Sequence, residues 1–317
     1  MRRFILALLW LLPSLAAAGE QTAPLPTHTL YPPLLRFFDP APSSALRPPS
    51  ASWQLDLFQH YGSVNLFDQT PGGRLLVDLE LYLLETQLRR QFADELELSV
   101  KLPLLRPYNG LLDGPVQGLH KLLGVNNGGR ELRPNNRMGY FYDNGRGARW
   151  LAENRWEIGN GEIGLRRTLA GNVDAQQGLA LLAAVKLPTG SSRRGWGSGA
   201  ADLGGGMVGS LAGDLGFAHL EGWLIHPFAR DLPGLAYRNY ARGSLALGWH
   251  LAPGLTPIVQ LQGGLSPYRS GEARLDQPAW LIHFGAQSRQ WQFVFSENLS
   301  QKTTQDFSFT LGYAWRQ

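Results

Sequence analysis

Twelve stretches of this chain alternate apolar and polar residues with a period of two, a spacing that fits strands and does not fit packed helices. Leu96, Leu98, Val100, Leu102 and Leu104 share one face, with Glu97, Ser99 and Lys101 on the other. Leu179, Leu181, Ala183, Val185 and Leu187 are opposed by Lys186, and Val77, Leu79, Leu81 and Leu83 by Asp78, Glu80 and Tyr82. The pattern recurs in Trp280, Ile282 and Phe284 and in Phe307, Phe309, Leu311, Tyr313 and Trp315. The stretches lie at 51–61, 74–88, 95–104, 160–170, 177–187, 200–212, 215–226, 239–251, 256–266, 277–287, 290–300 and 306–316. Most have the length with which a tilted β-strand crosses a bilayer. The fourth and seventh are less regular: Arg167 falls on the apolar side, and Phe217 and Trp223 share a face with His219 and Glu221.

Loop lengths sort by parity. With a periplasmic N-terminus, the connections after even strands (89–94, 171–176, 213–214, 252–255 and 288–289) are short. Those after odd strands are mostly longer, including 62–73 and an extracellular loop at about 105–159. Short periplasmic turns and long outer loops mark an all-β, transmembrane antiparallel β-barrel, here of about 12 strands, over 51–317. Closure is required because bilayer hydrocarbon satisfies no open sheet edge. The last strand, with Trp315 and Tyr313 near its end, resembles the signal read by the barrel assembly machinery, which makes that machinery an expected partner beside outer-membrane lipid and lipopolysaccharide.

The N-terminus adds two segments. Residues 1–18 join Arg2 and Arg3 to an apolar run and to Ala16, Ala17 and Ala18, the parts of a secretory signal peptide. Residues 19–50 are rich in proline and so excluded from helix interiors and central strands. They also carry Leu30, Tyr31, Leu34, Leu35, Phe37 and Phe38, too many apolar groups to leave in water. This segment is expected to pack into the barrel as a plug, with Arg36 and Asp39 pairing to the wall; the alternative is a periplasmic tether or partner site.

Charge and composition narrow the function. The formal charge is +4, too balanced for a nucleic-acid binder, and cysteine is absent, which excludes disulfides and thiolate chemistry. The alternation predicts an inward set that includes Asp78, Glu80, Lys101, Lys186, Asp202, Glu221, Arg242 and His283, candidates to line a pore. The long loop supplies Asp113, His120 and Arg130, and its residues 113–123 have helical spacing. That loop either folds inward as a constriction or stays outside with its arginines against lipopolysaccharide phosphate. His283 and Ser296 suggest a nucleophile and base, but a tight turn between their strands sets His283 opposite Val294, with Ser296 one diagonal step away and no acid behind the imidazole. No catalytic residue, metal or cofactor is assigned. Inward positions such as Ser99 and Ala180 are expected to accept a charge that their lipid-facing neighbours Leu98 and Leu181 would not.

Several short motifs carry a resemblance: Leu30-Tyr31-Pro32-Pro33-Leu34, Lys101-Leu102-Pro103-Leu104, Leu111-Leu112-Asp113-Gly114, Asn127-Gly128-Gly129-Arg130, Lys186-Leu187-Pro188-Thr189-Gly190 and Ser296-Glu297-Asn298. Over most of its length the chain resembles the proteobacterial outer-membrane family called domain of unknown function 3187. The resemblance implies a barrel in the outer membrane of a Gram-negative bacterium and brings no functional residues. The expected function is a channel or transporter for a small solute. A barrel-type lipid hydrolase or lipid-modifying enzyme is the alternative, and a closed structural barrel the second.

Overall fold

The computed structural model describes residues 23–46, 53–70, 73–93, 95–124, 134–171, 176–252, 254–288, 290–300 and 303–316. The leader expected over 1–18 lies outside them. Twelve long strands make the wall: β1 Trp53–Thr70, β2 Gly73–Ala93, β3 Leu96–Tyr108, β4 Glu162–Ala170, β5 Gln177–Lys186, β6 Asp202–Gly213, β7 Gly216–Pro227, β8 Tyr240–Trp249, β9 Thr256–Gly264, β10 Ala279–Ser288, β11 Trp291–Asn298 and β12 Phe307–Arg316. Each pairs antiparallel with the next, and β12 pairs with β1 from Gln54↔Arg316 to Ser63↔Phe307. The twelve-stranded wall is therefore closed. Every one of the twelve alternating stretches is a wall strand.

The two faces divide as the alternation requires. Val100, Leu102, Leu165, Leu181 and Phe309 are 41–50% exposed on the outer surface. Lys101, Arg166, Lys186, Asp202, Glu221 and Arg242 are buried inside. On β7, Phe217, His219, Glu221 and Trp223 all face inward and are buried, which explains its irregular pattern: aromatic rings there pack against an occupied interior.

β2 corrects the sequence reading. Its register with β1 sets Gly62 against Leu81 and Val64 against Leu79, and a side chain at Gly62 would meet Leu30 inside the barrel. Val77, Leu79, Leu81 and Leu83 thus face inward, in one apolar cluster with Leu30, Tyr31 and Leu34. Asp78 and Glu80 face outward, on the side of Tyr61 and Tyr82. The inversion arises because this part of the lumen is apolar, so alternation alone assigned the faces the wrong way round. The segment 62–73, expected as a loop, instead extends β1 to Thr70 and starts β2 at Gly73, the two strands pairing as far as Thr70↔Gly73.

Beyond β3, a helix at Asp113–Leu123 follows the predicted spacing, and two short strands, Gly139–Asp143 and Arg149–Leu151, add to β2 along its residues 74–78. The inward-constriction reading fails for the helix. Glu80, on the outer face, accepts the backbone N–H groups of Leu111 (2.8 Å) and Leu112 (2.6 Å), and Leu111 and Leu122 are exposed. The inward face of the wall is instead contacted by residues 23–46.

Candidate functional site: the occupied lumen

Residues 23–46 run inside the barrel as one long loop. The ascending limb starts at the short-turn rim, where Gln287 Nε2 donates to the Ala23 carbonyl at 2.5 Å. It climbs along β9, where Gln260 accepts from the Leu25 N–H (2.9 Å) and donates back to the Leu25 carbonyl (3.1 Å). Thr27 donates to Gln262 at 2.6 Å, and the Leu30 N–H donates to Gln305 beneath the β11–β12 connection at 2.9 Å. The chain turns at the opposite rim through a one-turn helix, Pro32–Leu35, with both prolines in its first turn where no donor is missed. The descending limb passes β6 and β7 and returns to the short-turn rim at Ala45, whose N–H donates to Ser210 at 2.8 Å. Both ends of the loop lie at the same rim.

Proline makes this geometry workable. An extended, proline-rich chain leaves its carbonyls without backbone partners, and buried carbonyls must be satisfied. The wall supplies them with side chains. Tyr268 donates to Pro33 O (2.8 Å), Asn160 to Leu35 O (2.9 Å), Lys186 to Arg36 O (3.0 Å), Tyr240 to Phe38 O (2.7 Å) and Arg166 to Ser44 O (3.1 Å). Carboxylates take the N–H groups: Asp202 that of Phe38 (2.7 Å) and Glu221 that of Ser43 (2.7 Å).

The charged residues therefore sit where wall meets segment. Lys186 and Asp202, both fully buried, pair at 3.2 Å. Lys101 bridges Glu162 at 2.7 Å and Glu85 at 3.5 Å, and Glu85 contacts His28 of the segment at 3.2 Å. Arg242 meets Asp39 at 3.4 Å. Burial lowers the His28 pKa, but the charge and hydrogen bond of Glu85, together with Asp39, raise the imidazole above its ordinary 6.5. Arg36, expected to pair with the charged wall, instead lies 3.9 Å over the ring of Trp150, with no carboxylate in ion-pair range among the described residues.

Of the eight pore-lining candidates, Lys101, Lys186, Asp202, Glu221, Arg242 and His283 line the occupied interior; Asp78 and Glu80 do not. In the long loop, Asp113 accepts from the Asn136 N–H at 2.7 Å at the start of the 113–123 helix. Arg130 lies outside the described residues, as does the side chain of His120. Arg146, Arg149 and Arg155 are exposed on the long-loop side.

The Ser296–His283 contact is closer than expected. Ser288 pairs with Trp291, two residues from the assumed register, so His283 stands directly opposite Ser296 and Nδ1 lies 2.7 Å from Oγ. The contact recurs: His60 Nδ1 meets Thr310 Oγ1 at 2.8 Å and His219 Nδ1 meets Ser210 Oγ at 2.7 Å, each across a directly paired register. His283 Nε2 has no partner, and no carboxylate orients the ring among the described residues. Three such pairs in one wall read as interior polar pairing rather than as an assembled hydrolytic site.

Sequence reasoning missed the neutral groups that hold the segment: Gln260, Gln262, Gln287, Gln305, Asn160, Tyr240 and Tyr268. The inward phase of Gln260 and Gln262 on β9 was the available signal. Tyr268 sits in an outer loop, where periodicity says nothing, and Tyr240 opens β8 at the loop end of its strand.

Comparison with solved structures gives the same architecture. The COG4313 outer membrane channel from Pseudomonas putida F1 superposes with a TM-score of 0.56 at 12% identity, over 87% of this chain and 98% of that one. A NanC porin (TM-score 0.45, 9% identity, 83% and 99% covered) and a Pseudomonas aeruginosa FadL homologue (0.42, 9%, 93% and 100%) are more distant. A search of curated proteins finds no match. The model of the DUF3187 family, described as a protein of unknown function, matches residues 5–317, and the chain belongs to that family.

Proposed function

We propose that this protein is an outer-membrane channel or transporter for a small solute, held closed in the state described by its own residues 23–46. The reading places the short-turn rim in the periplasm and the long connections outside the cell, as barrels of this type do. One observation carries it: the segment crosses the lumen from rim to rim and back, and its backbone is held by wall side chains. A twelve-stranded barrel encloses more room than its own side chains fill. Here a separate segment takes up that room, and such a segment can leave without unpairing a wall strand. Its neutral hydrogen bonds are each worth on the order of 1 kcal/mol net, beside the apolar packing of Leu30, Tyr31, Leu34, Phe37 and Phe38 and the ion pairs of His28 and Asp39.

Deleting residues 23–46 while keeping residues 1–22 tests the proposal in planar bilayers. The deleted barrel is expected to conduct in steps several times larger than the intact protein. Equal, negligible conductance from both proteins would make it a closed structural barrel. A lipid-cleaving activity lost on Ser296→Ala would favour the hydrolase reading instead.

A further inference from the structure

The tip of the segment carries a charge in an unusual setting. Arg36 is 3% exposed and has no carboxylate partner among the described residues. Burying a guanidinium without a counter-charge is costly, and an apolar side chain would seal the same space at less cost. The surroundings are built for a cation. The guanidinium stacks 3.9 Å over Trp150, donates from Nε to the Gly197 carbonyl at 3.1 Å, and donates to the Tyr268 hydroxyl at 3.3 Å. Tyr237, half-buried, completes the aromatic wall, its ring 5.8 Å from that of Tyr268 and 5.3 Å from that of Phe37. Burial keeps the Tyr268 phenol neutral, far above its ordinary range, so it offers a lone pair rather than a charge.

These groups come from four separate long connections: Trp150 from β3–β4, Gly197 from β5–β6, Tyr237 from β7–β8 and Tyr268 from β9–β10. The cage thus belongs to the loops, whereas its occupant belongs to the segment that the channel reading makes removable. We propose that this cage recognises a small organic cation of the guanidinium or alkylammonium class arriving from outside the cell, with Arg36 as its resting-state ligand. Aromatic faces and neutral oxygen acceptors bind such cations through the ring quadrupole and hydrogen bonds, and they discriminate against neutral molecules of the same shape. A cation that takes the cage displaces Arg36 and frees the tip of the segment. The inference deepens the channel reading and rests on it.

The test uses the full-length protein carrying Arg36→Ala, which empties the cage but leaves the segment. Methylguanidinium is titrated against it, with urea as the neutral control and thermal stability as the readout. The account expects a saturable stabilisation by methylguanidinium, at least about tenfold weaker for urea, and lost when Trp150→Leu is added. Equal effects of urea and methylguanidinium, or no loss with Trp150→Leu, would overturn it. Should Arg36→Ala fail to insert, the intact protein in bilayers decides: methylguanidinium on the extracellular side should raise the frequency of opening, and urea should not. If neither raises it while deletion of 23–46 still opens the pore, the cage proposal fails and the channel reading survives.

Discussion

At the scale of single residues, the interior is organised by a few buried charges that hold the N-terminal segment. Lys186 and Asp202 are both fully buried, and each also contacts the segment's backbone. Removing one partner strands the other, so Lys186→Met should destabilise the protein by about 3–5 kcal/mol in equilibrium unfolding. Adding Asp202→Asn, which keeps an acceptor for the Phe38 N–H, should restore much of that loss. His28 supplies a pH dependence. Burial and the charge of Lys101 lower its pKa, but Glu85, by charge and hydrogen bond, and Asp39 together raise it; the His60 ring lies 5.7 Å away. A raised folded-state pKa gives stabilisation that is complete below the unfolded value of 6.5 and is lost as pH rises through the folded value. The segment should therefore become more open to protease in alkaline buffer, and His28→Gln should remove that dependence.

At the scale of elements, all twelve wall strands were legible in the sequence, because a strand with one face in lipid and one in a polar lumen must alternate. Legibility failed where the lumen is not polar. On β2 the inward residues are Val77, Leu79, Leu81 and Leu83, since they pack against Leu30, Tyr31 and Leu34, and periodicity without a known partner cannot say which face is inward. Ala180 shows the same limit. It is inward as expected but fully buried in that cluster, so it has no room for the charged side chain it was expected to accept. Leu181, 41% exposed, keeps its prediction: arginine there should cost about 2–4 kcal/mol near the bilayer midplane. Glycine on β6 has a local reason. A Cβ at Gly204 would lie 2.7 Å from the Phe38 ring and 3.2 Å from Trp223. Gly204→Val should loosen the segment, seen as faster proteolysis near Phe38, while the wall ladder stays intact.

At the scale of the whole molecule, the structure is a closed wall around a chain that enters and leaves at one rim and is gripped at the other by four long loops. Composition set the expectation that residues 19–50 would pack away from water, but gave no reason for the described part, 23–46, to double back, because the groups that turn it are aromatics in loops without a period. The account's central claim is that this loop occupies the lumen, and the absence of cysteine allows a direct measurement. A Cβ added at Gly178 on β5 would stand 3.3 Å from the Ala45 Cβ, a few tenths of an ångström inside the usual spacing of about 3.5–4.5 Å across a disulfide. The full-length Ala45→Cys/Gly178→Cys protein, oxidised in intact outer membranes, is predicted to cross-link nearly completely and to migrate faster on a denaturing gel until reduced. Absence of that cross-link, in protein whose barrel is folded and whose two thiols are shown to be free, would contradict it.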